Sequence, residues 1–280
     1  MKTSTLALHS LRVEDNRILI ETGEEFDGVA YSKFKYGDGS VSDEYGKSLA
    51  QAFIEKHTDL LESGVDIAVT SASYRSVPKG ATSIAYFFTK YLNEYLEKIH
   101  KDPAQRIKIT NNDSFVGDYA SFSIEKREAL MTSSVLTLSE SVKAKTLIII
   151  DDVRITGAGE RRLVDFFADK DVAEIFLLYV AAADPAYAST NPQIESILNH
   201  TWMDGLPKLL SIMQSKGYMI NARVCKYILS HPALDALEAF LRQLNRKVLE
   251  DLYENIVNDN YSAIPEYKDS IALIKKVARS

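Results

Sequence analysis

The sequence predicts an α/β fold: a parallel sheet with helices on both faces, followed by a C-terminal helical extension. Three observations predict it. Up to about Pro185, short apolar runs alternate with stripes of helical period. Two of those runs, Thr146–Ile150 and Glu174–Ala183, are apolar at successive positions, as strands buried on both faces must be. Beyond Pro185 the strand signals stop, and Leu234, Leu237, Leu241, Leu244, Val248, Leu252 and Ile256 keep helical spacing. The expected units are therefore residues 1–185, an α/β core, and residues 186–280, a helical extension.

The first forty residues carry the weakest pattern, with one candidate strand at Ile18–Gly23. From Asp43, an acidic first turn leads a helix that buries Tyr45, Leu49, Ala52, Phe53 and Leu60. Val65–Ser71 is brief and β-branched, a buried strand. Pro78 suits a first helical position, and the stripe Ile84, Phe87, Phe88, Tyr91, Leu92 and Tyr95 follows it. Arg106–Thr110 reads as another strand, and a short helix is expected near Ser123–Thr132. After the strand at Thr146–Ile150, Leu163, Val164, Phe166 and Phe167 mark a helix before the last strand.

Composition narrows the class. Of 280 residues, 46% are hydrophobic and 26% charged, enough apolar matter for a sizeable core. The single cysteine, Cys225, cannot form an internal disulfide, which fits a reducing, cytoplasmic setting. The N-terminus has no apolar signal-peptide region, and no run approaches the ~18 apolar residues of a membrane helix. A net charge of -6 argues against a nucleic-acid partner. The five histidines lack a metal-binding spacing, and there is no G-x-S-x-G nucleophile turn.

The chemistry concentrates in TLIIIDDVRITGAGERR, Thr146–Arg162. A buried strand ends in Asp151 and Asp152, a small-residue turn runs through Thr156, Gly157, Ala158 and Gly159, and a helix opens. Ligands of open parallel sheets bind beyond the carboxyl ends of the strands. Unpaired N–H groups at a helix start, with no Cβ at Gly157 or Gly159, let a phosphate approach. Two carboxylates beside that cradle suit sugar hydroxyls, or a hydrated Mg²⁺. A Walker B strand also ends in Asp-Asp, but that reading needs a G-x-x-x-x-G-K-[ST] loop, and the sequence has none.

This segment resembles the type I phosphoribosyltransferases, and within them a subgroup of bacterial enzymes found in stress-response gene clusters. Leu147, Ile148, Ile149 and Ile150, the pair Asp151 and Asp152, then Val153, Thr156 and Gly157 carry the likeness. The resemblance implies that Asp151 and Asp152 bind the ribose 2′- and 3′-hydroxyls of phosphoribosyl diphosphate and help hold Mg²⁺, directly or through water. It implies that Arg154, Ile155, Thr156, Gly157, Ala158 and Gly159 wrap the 5′-phosphate. Arg154 departs from the usual aliphatic residue, and Ile155 and Gly159 replace usual hydroxyls. The diphosphate loop then falls at Ser71, Ala72, Ser73, Tyr74 and Arg75, in a run that ends with Lys79 and Gly80. Arg75 is either a diphosphate ligand or a surface residue.

The resemblance further implies a Mg²⁺-dependent transfer of the phosphoribosyl group to a nitrogenous, base-like acceptor, and a homodimer. The segment Asn111–Ser123 falls where the family has a mobile loop. Lys126 and Arg127 either meet the developing charge or form a solvated face. Tyr31–Gly39 is either part of a hood over the acceptor or a surface turn, and Trp202 and Tyr119 either stack on it or pack internally. A regulator that only binds phosphoribosyl diphosphate carries the same acidic pair, so both functions stay open at this point.

Overall fold

The computed structural model describes residues 2–15, 17–111, 135–184, 187–188 and 193–279. A six-stranded sheet has the order β2-β1-β8-β7-β3-β4. β1 (Lys2–Glu14), β8 (Glu174–Ala183), β7 (Thr146–Arg154), β3 (Ile67–Ser71) and β4 (Gln105–Arg106) run parallel, and β2 (Arg17–Leu19) returns antiparallel on β1. The alternation of β7 and β8 divides the core. Ile148, Ile150, Phe176 and Leu178 face α1 (Gly28–Lys35), α2 (Gly39–Lys56) and α4 (Gly80–Lys98). Leu147, Ile149, Ile175 and Leu177 face Leu163 and Phe167 of α5 (Ala158–Phe167). The α/β sheet with helices on both faces is therefore the fold, as its doubly apolar strands require. A short α3 (Thr58–Glu62) bridges α2 and β3.

Three segments differ from expectation. The N-terminal strand β1 is thirteen residues long but buries only Leu6 and Leu11 fully, so its apolar signal is thin. The expected strand at Ile18–Gly23 is β2, shifted to Arg17–Leu19. Arg106–Thr110 is not one strand. β4 stays on β3, while β5 (Ile109–Asn111) leaves to pair with β6 (Leu136–Leu138). Lys108 marks the break: its N–H donates to Ser139 Oγ instead of a sheet carbonyl. α2 begins at Gly39, capped by Asp38, and α4 begins two residues after Pro78. The helix expected near Ser123–Thr132 lies outside the described residues.

After Ala183 the described residues hold helices and no strand. These are α6 (Ile194–His200), α7 (Leu206–Met213), α8 (Ala222–Leu229), α9 (Leu234–Leu241), α10 (Arg246–Asn258) and α11 (Lys268–Ala278). Most of them enclose a core of their own, to which Tyr36 and Val77 of the α/β part belong. Those two residues mark the crossings. At one, Met219 N donates to Gly37 O at 2.9 Å and Asn221 Nδ2 to Lys35 O at 3.2 Å. At the other, Ser76 N and Val77 N both donate to Asp259 Oδ1, at 2.8 and 3.0 Å, and Ala222 N donates to Pro78 O at 2.9 Å. The helices are thus fastened to the two loops that border the carboxyl ends of the strands. Among the described residues no helix is long and apolar enough to cross a membrane.

Candidate functional site

A cavity of about 760 Å³ opens at the carboxyl ends of β3 and β7, where an open α/β sheet binds ligands. Of the residues singled out in the sequence, Asp151, Asp152, Arg154, Ile155, Thr156, Gly157, Ala158, Gly159 and Ala72 line it.

The turn from β7 into α5 leaves a helix start open at the cavity. Gly157 caps the helix in the left-handed region (φ 68°), a conformation that costs a residue with a Cβ. No side chain caps α5, and a Cβ at Gly159 would have nothing within 4 Å. The first N–H groups of the helix therefore face the cavity without a side-chain acceptor. The Arg154 guanidinium stands beside this turn, its Nη2 3.3 Å from where a Cβ on Gly157 would lie. Its Nε donates to Glu160 Oε2 at 2.6 Å, which also accepts from Tyr179 Oη at 3.0 Å.

A second uncapped helix start opens into the same cavity. α4 is nineteen residues long, its cap residue Lys79 makes no side-chain capping bond, and Lys79, Gly80 and Ala81 line the wall. The loop before it, expected to hold a diphosphate, turns away. Ser71 Oγ meets Thr82 Oγ1 at 3.0 Å, and Ser73 Oγ accepts from Asn111 Nδ2 at 3.2 Å. Tyr74 N donates to Ile109 O, and the Arg75 carbonyl accepts from Lys108 Nζ. Ser71 and Tyr74 border a separate cavity of about 230 Å³. Pairing with β5 draws the loop there, and of Ser71–Arg75 only Ala72 lines the large cavity.

The two carboxylates diverge because adjacent strand residues point to opposite faces. Asp152 falls on the face of α1, where Tyr31 Oη donates to its Oδ2 at 3.1 Å and Lys35 Nζ forms an ion pair with the same atom. Its Oδ1 accepts from Val153 N at 2.9 Å. Lys35 also reaches Glu195 Oε1 at 3.5 Å. Burial alone would push the Asp152 carboxyl up, but the Lys35 ammonium holds it below the usual range. Burial would likewise lower Lys35, and the charges of Asp152 and Glu195 raise it instead.

Asp151 takes the opposite face, and its Oδ1 accepts from Asp152 N at 3.0 Å. Burial first, and then the Asp152 charge, push its carboxyl up to about 7. A raised carboxyl favours the folded state while both forms keep the proton, and that advantage is lost as pH rises. Between its ordinary value of 3.8 and about 7, Asp151 should withdraw up to about 1.4 kcal/mol of stability per pH unit. Urea unfolding of the wild type and Asp151→Asn should therefore diverge from about pH 4 upward and run parallel above about pH 7, with the variant the more stable. A difference that does not change with pH would refute the raised carboxyl.

Sequence reasoning did not single out Tyr31, Lys35 or Glu195 for the acidic pair, or the wall formed by α8. The i, i+4 spacing of Tyr31 and Lys35 was visible, but not what they face. On α8, Val224, Cys225, Ile228 and Leu229 are buried, while Arg223, Lys226, Tyr227 and the cap residue after the helix, Ser230, line the cavity. The Tyr227 ring meets that of Tyr36 edge-on at 5.3 Å. Trp202 packs on the helical core with the Lys33 and Lys208 ammonium groups each 5.2 Å from its ring centre, and it does not line the cavity. Asn111 lines the cavity; Tyr119, Lys126, Arg127 and the rest of Asn111–Ser123 lie outside the described residues.

Comparison with known proteins gives one sequence-family match: residues 3–274 match the family described as PRTase ComF-like, a span that includes the C-terminal helices. No curated protein sequence matches. Among solved structures, similarity extends to a hypoxanthine phosphoribosyltransferase from Staphylococcus aureus, 13% identical with a TM-score of 0.34. The alignment covers 52% of this chain and 66% of that one, just under two thirds of its length. A hypoxanthine phosphoribosyltransferase from Trypanosoma cruzi is 12% identical, with a TM-score of 0.32 and coverage of 52% and 75%. A purine phosphoribosyltransferase from Pyrococcus horikoshii is 16% identical, with a TM-score of 0.27 and coverage of 50% and 81%.

Proposed function

The chain belongs to the ComF-like phosphoribosyltransferase family, and from that premise we propose that its cavity binds phosphoribosyl diphosphate and passes the phosphoribosyl group to a nitrogenous acceptor. The observation that carries this reading is the pair of uncapped helix starts, α4 and α5, which open into one cavity that Asp151 also lines. Two anionic groups joined by a diol-bearing sugar suit that order of groups. The 5′-phosphate lies at Thr156–Gly159. The diphosphate lies at the start of α4, with Lys79 beside it and Arg223 and Lys226 on the wall of α8. Asp151 accepts from a ribose hydroxyl.

The acceptor lies against Tyr227, whose ring offers a stacking face. Its nitrogen bonds to the ribose C1 as the C1–O bond to diphosphate breaks, and the nitrogen then loses its proton. Positive charge builds on the ring and negative charge on the leaving group. The chain contributes alignment and fixed donors toward those charges.

Mg²⁺, which the family resemblance implies, does not fit at Asp152. Both oxygens of that carboxylate already accept bonds, one of them from an ammonium group. Among the described residues no three His, Cys, Asp or Glu side chains converge as a metal cage.

The test is Asp151→Asn. It should lower diphosphate release by ~10²–10³ while circular dichroism stays that of the wild type, because the Asn amide oxygen can still accept from Asp152 N. Unchanged release would remove Asp151 from the reaction. A second reading, a regulator that binds phosphoribosyl diphosphate without turnover, draws support from the engagement of Asp152 by Tyr31 and Lys35. Calorimetric binding with no diphosphate release across a panel of bases would establish it.

A further inference from the structure

The Lys35 side chain is 11% exposed and that of Asp152 is 9% exposed, yet both residues line the cavity. The ammonium thus pairs with a buried carboxylate at the wall of the cavity. It contacts Asp152 Oδ2, lies 3.5 Å from Glu195 Oε1, and sits 5.4 Å from the centre of the Tyr31 ring. Three acidic or electron-rich groups, contributed by β7, α6 and α1, therefore surround one charge. A carboxylate offers about four acceptor positions. At Asp152, Tyr31, Lys35 and Val153 take three of them. A divalent ion at the remaining position would lie beside the ammonium in a poorly solvated setting, where like charges repel strongly.

We propose that Lys35 is the resident cation of this site: its ammonium takes the place at Asp152 and Glu195 that a divalent ion would need, and offers an N–H donor to the ligand there. An ammonium has three donors, and Asp152 and Glu195 engage two. Among the described residues the third has no acceptor, and it is offered to a ribose hydroxyl. That last step rests on the phosphoribosyl reading; the exclusion of a metal from Asp152 does not.

Mn²⁺ alone, followed by electron paramagnetic resonance on the ligand-free full chain, tests the exclusion. The wild type and Lys35→Arg should bind no Mn²⁺ that Asp152→Asn removes. Lys35→Met should gain one Mn²⁺ with affinity at least ~10-fold above the wild type. The double variant Lys35→Met/Asp152→Asn, with neither charge to strand, should lose it again. Wild-type Mn²⁺ binding that Asp152→Asn abolishes would overturn the proposal even if Lys35→Met fails to fold. Ribose 5-phosphate is the second probe, since it carries no diphosphate to bring in an ion. Its wild-type affinity should agree within about 2-fold between EDTA and excess MgCl₂, and a collapse in EDTA would overturn the proposal. Absence of ribose 5-phosphate binding in both buffers would count against the phosphoribosyl reading, and the Mn²⁺ result would still decide the place of Lys35.

Discussion

Asp152→Ala is expected to cost about 3–5 kcal/mol of folding stability. Asp152 is 7% exposed and is the carboxylate nearest the Lys35 ammonium. Removing it leaves Glu195, 3.5 Å away, as the remaining acidic partner of Lys35, and takes the acceptor from the buried Tyr31 hydroxyl. A buried charge that loses its partner keeps its desolvation cost, whereas replacing both partners with apolar groups removes that cost. Lys35→Met/Asp152→Leu should therefore regain most of the loss in urea unfolding. The acid response should also change. The depressed Asp152 carboxyl stabilises the fold above its ordinary value of 3.8, and that contribution fades as pH falls further. A single-variant loss below about 1 kcal/mol would mean that Lys35 reaches water on its own.

Gly39→Ala should cost about 3 kcal/mol or more, through the junction between the two parts of the chain. Gly39 opens α2, and a Cβ there would stand 1.9 Å from the Gly217 carbonyl oxygen and 3.0 Å from its carbon. The obstacle is backbone. It is held in place by the nearby bond from Met219 N to Gly37 O, so no rotamer change relieves the clash. The segment that must shift leads directly into α8, the cavity wall that carries Arg223, Lys226 and Tyr227. Urea unfolding should show a lower midpoint, and amide exchange should quicken across residues 217–231. A wild-type midpoint in Gly39→Ala would mean that this close approach is not kept in solution.

Both predictions turn on partners that no local pattern announces, Lys35 and Tyr31 at Asp152 and the Gly217 carbonyl at Gly39. TLIIIDDVRITGAG could be read as strand, acidic pair, glycine turn and helix because each signal lies within a few residues. The apolar strand period, the φ > 0 position at Gly157 and the open helix start need no distant partner. The helical character of the C-terminal part was legible for the same reason. Less legible were β1, with few buried positions, and the split of Arg106–Thr110, where Ser139 captures the Lys108 N–H. The loop Ser71–Arg75 lies after the expected strand but turns onto β5, a pairing invisible in its own composition.

The acidic net charge of the chain likewise said nothing of where its cations gather. Lys35, Lys79, Arg162, Arg223 and Lys226 come from four separated segments and line one cavity. Local sequence determined the parallel α/β core, the helical tail and the glycine turn after β7, since backbone preferences and apolar period act over a few residues. The division of labour between Asp151 and Asp152 depended on packing. It is set by which face of the sheet receives α1, because docking α1 brings Lys35 and Tyr31 onto one carboxylate more than a hundred residues away and leaves its neighbour at the same cavity without them. Burial and charge pairing are properties of the assembled neighbourhood, and so the chemistry of two identical adjacent side chains was decided by the fold.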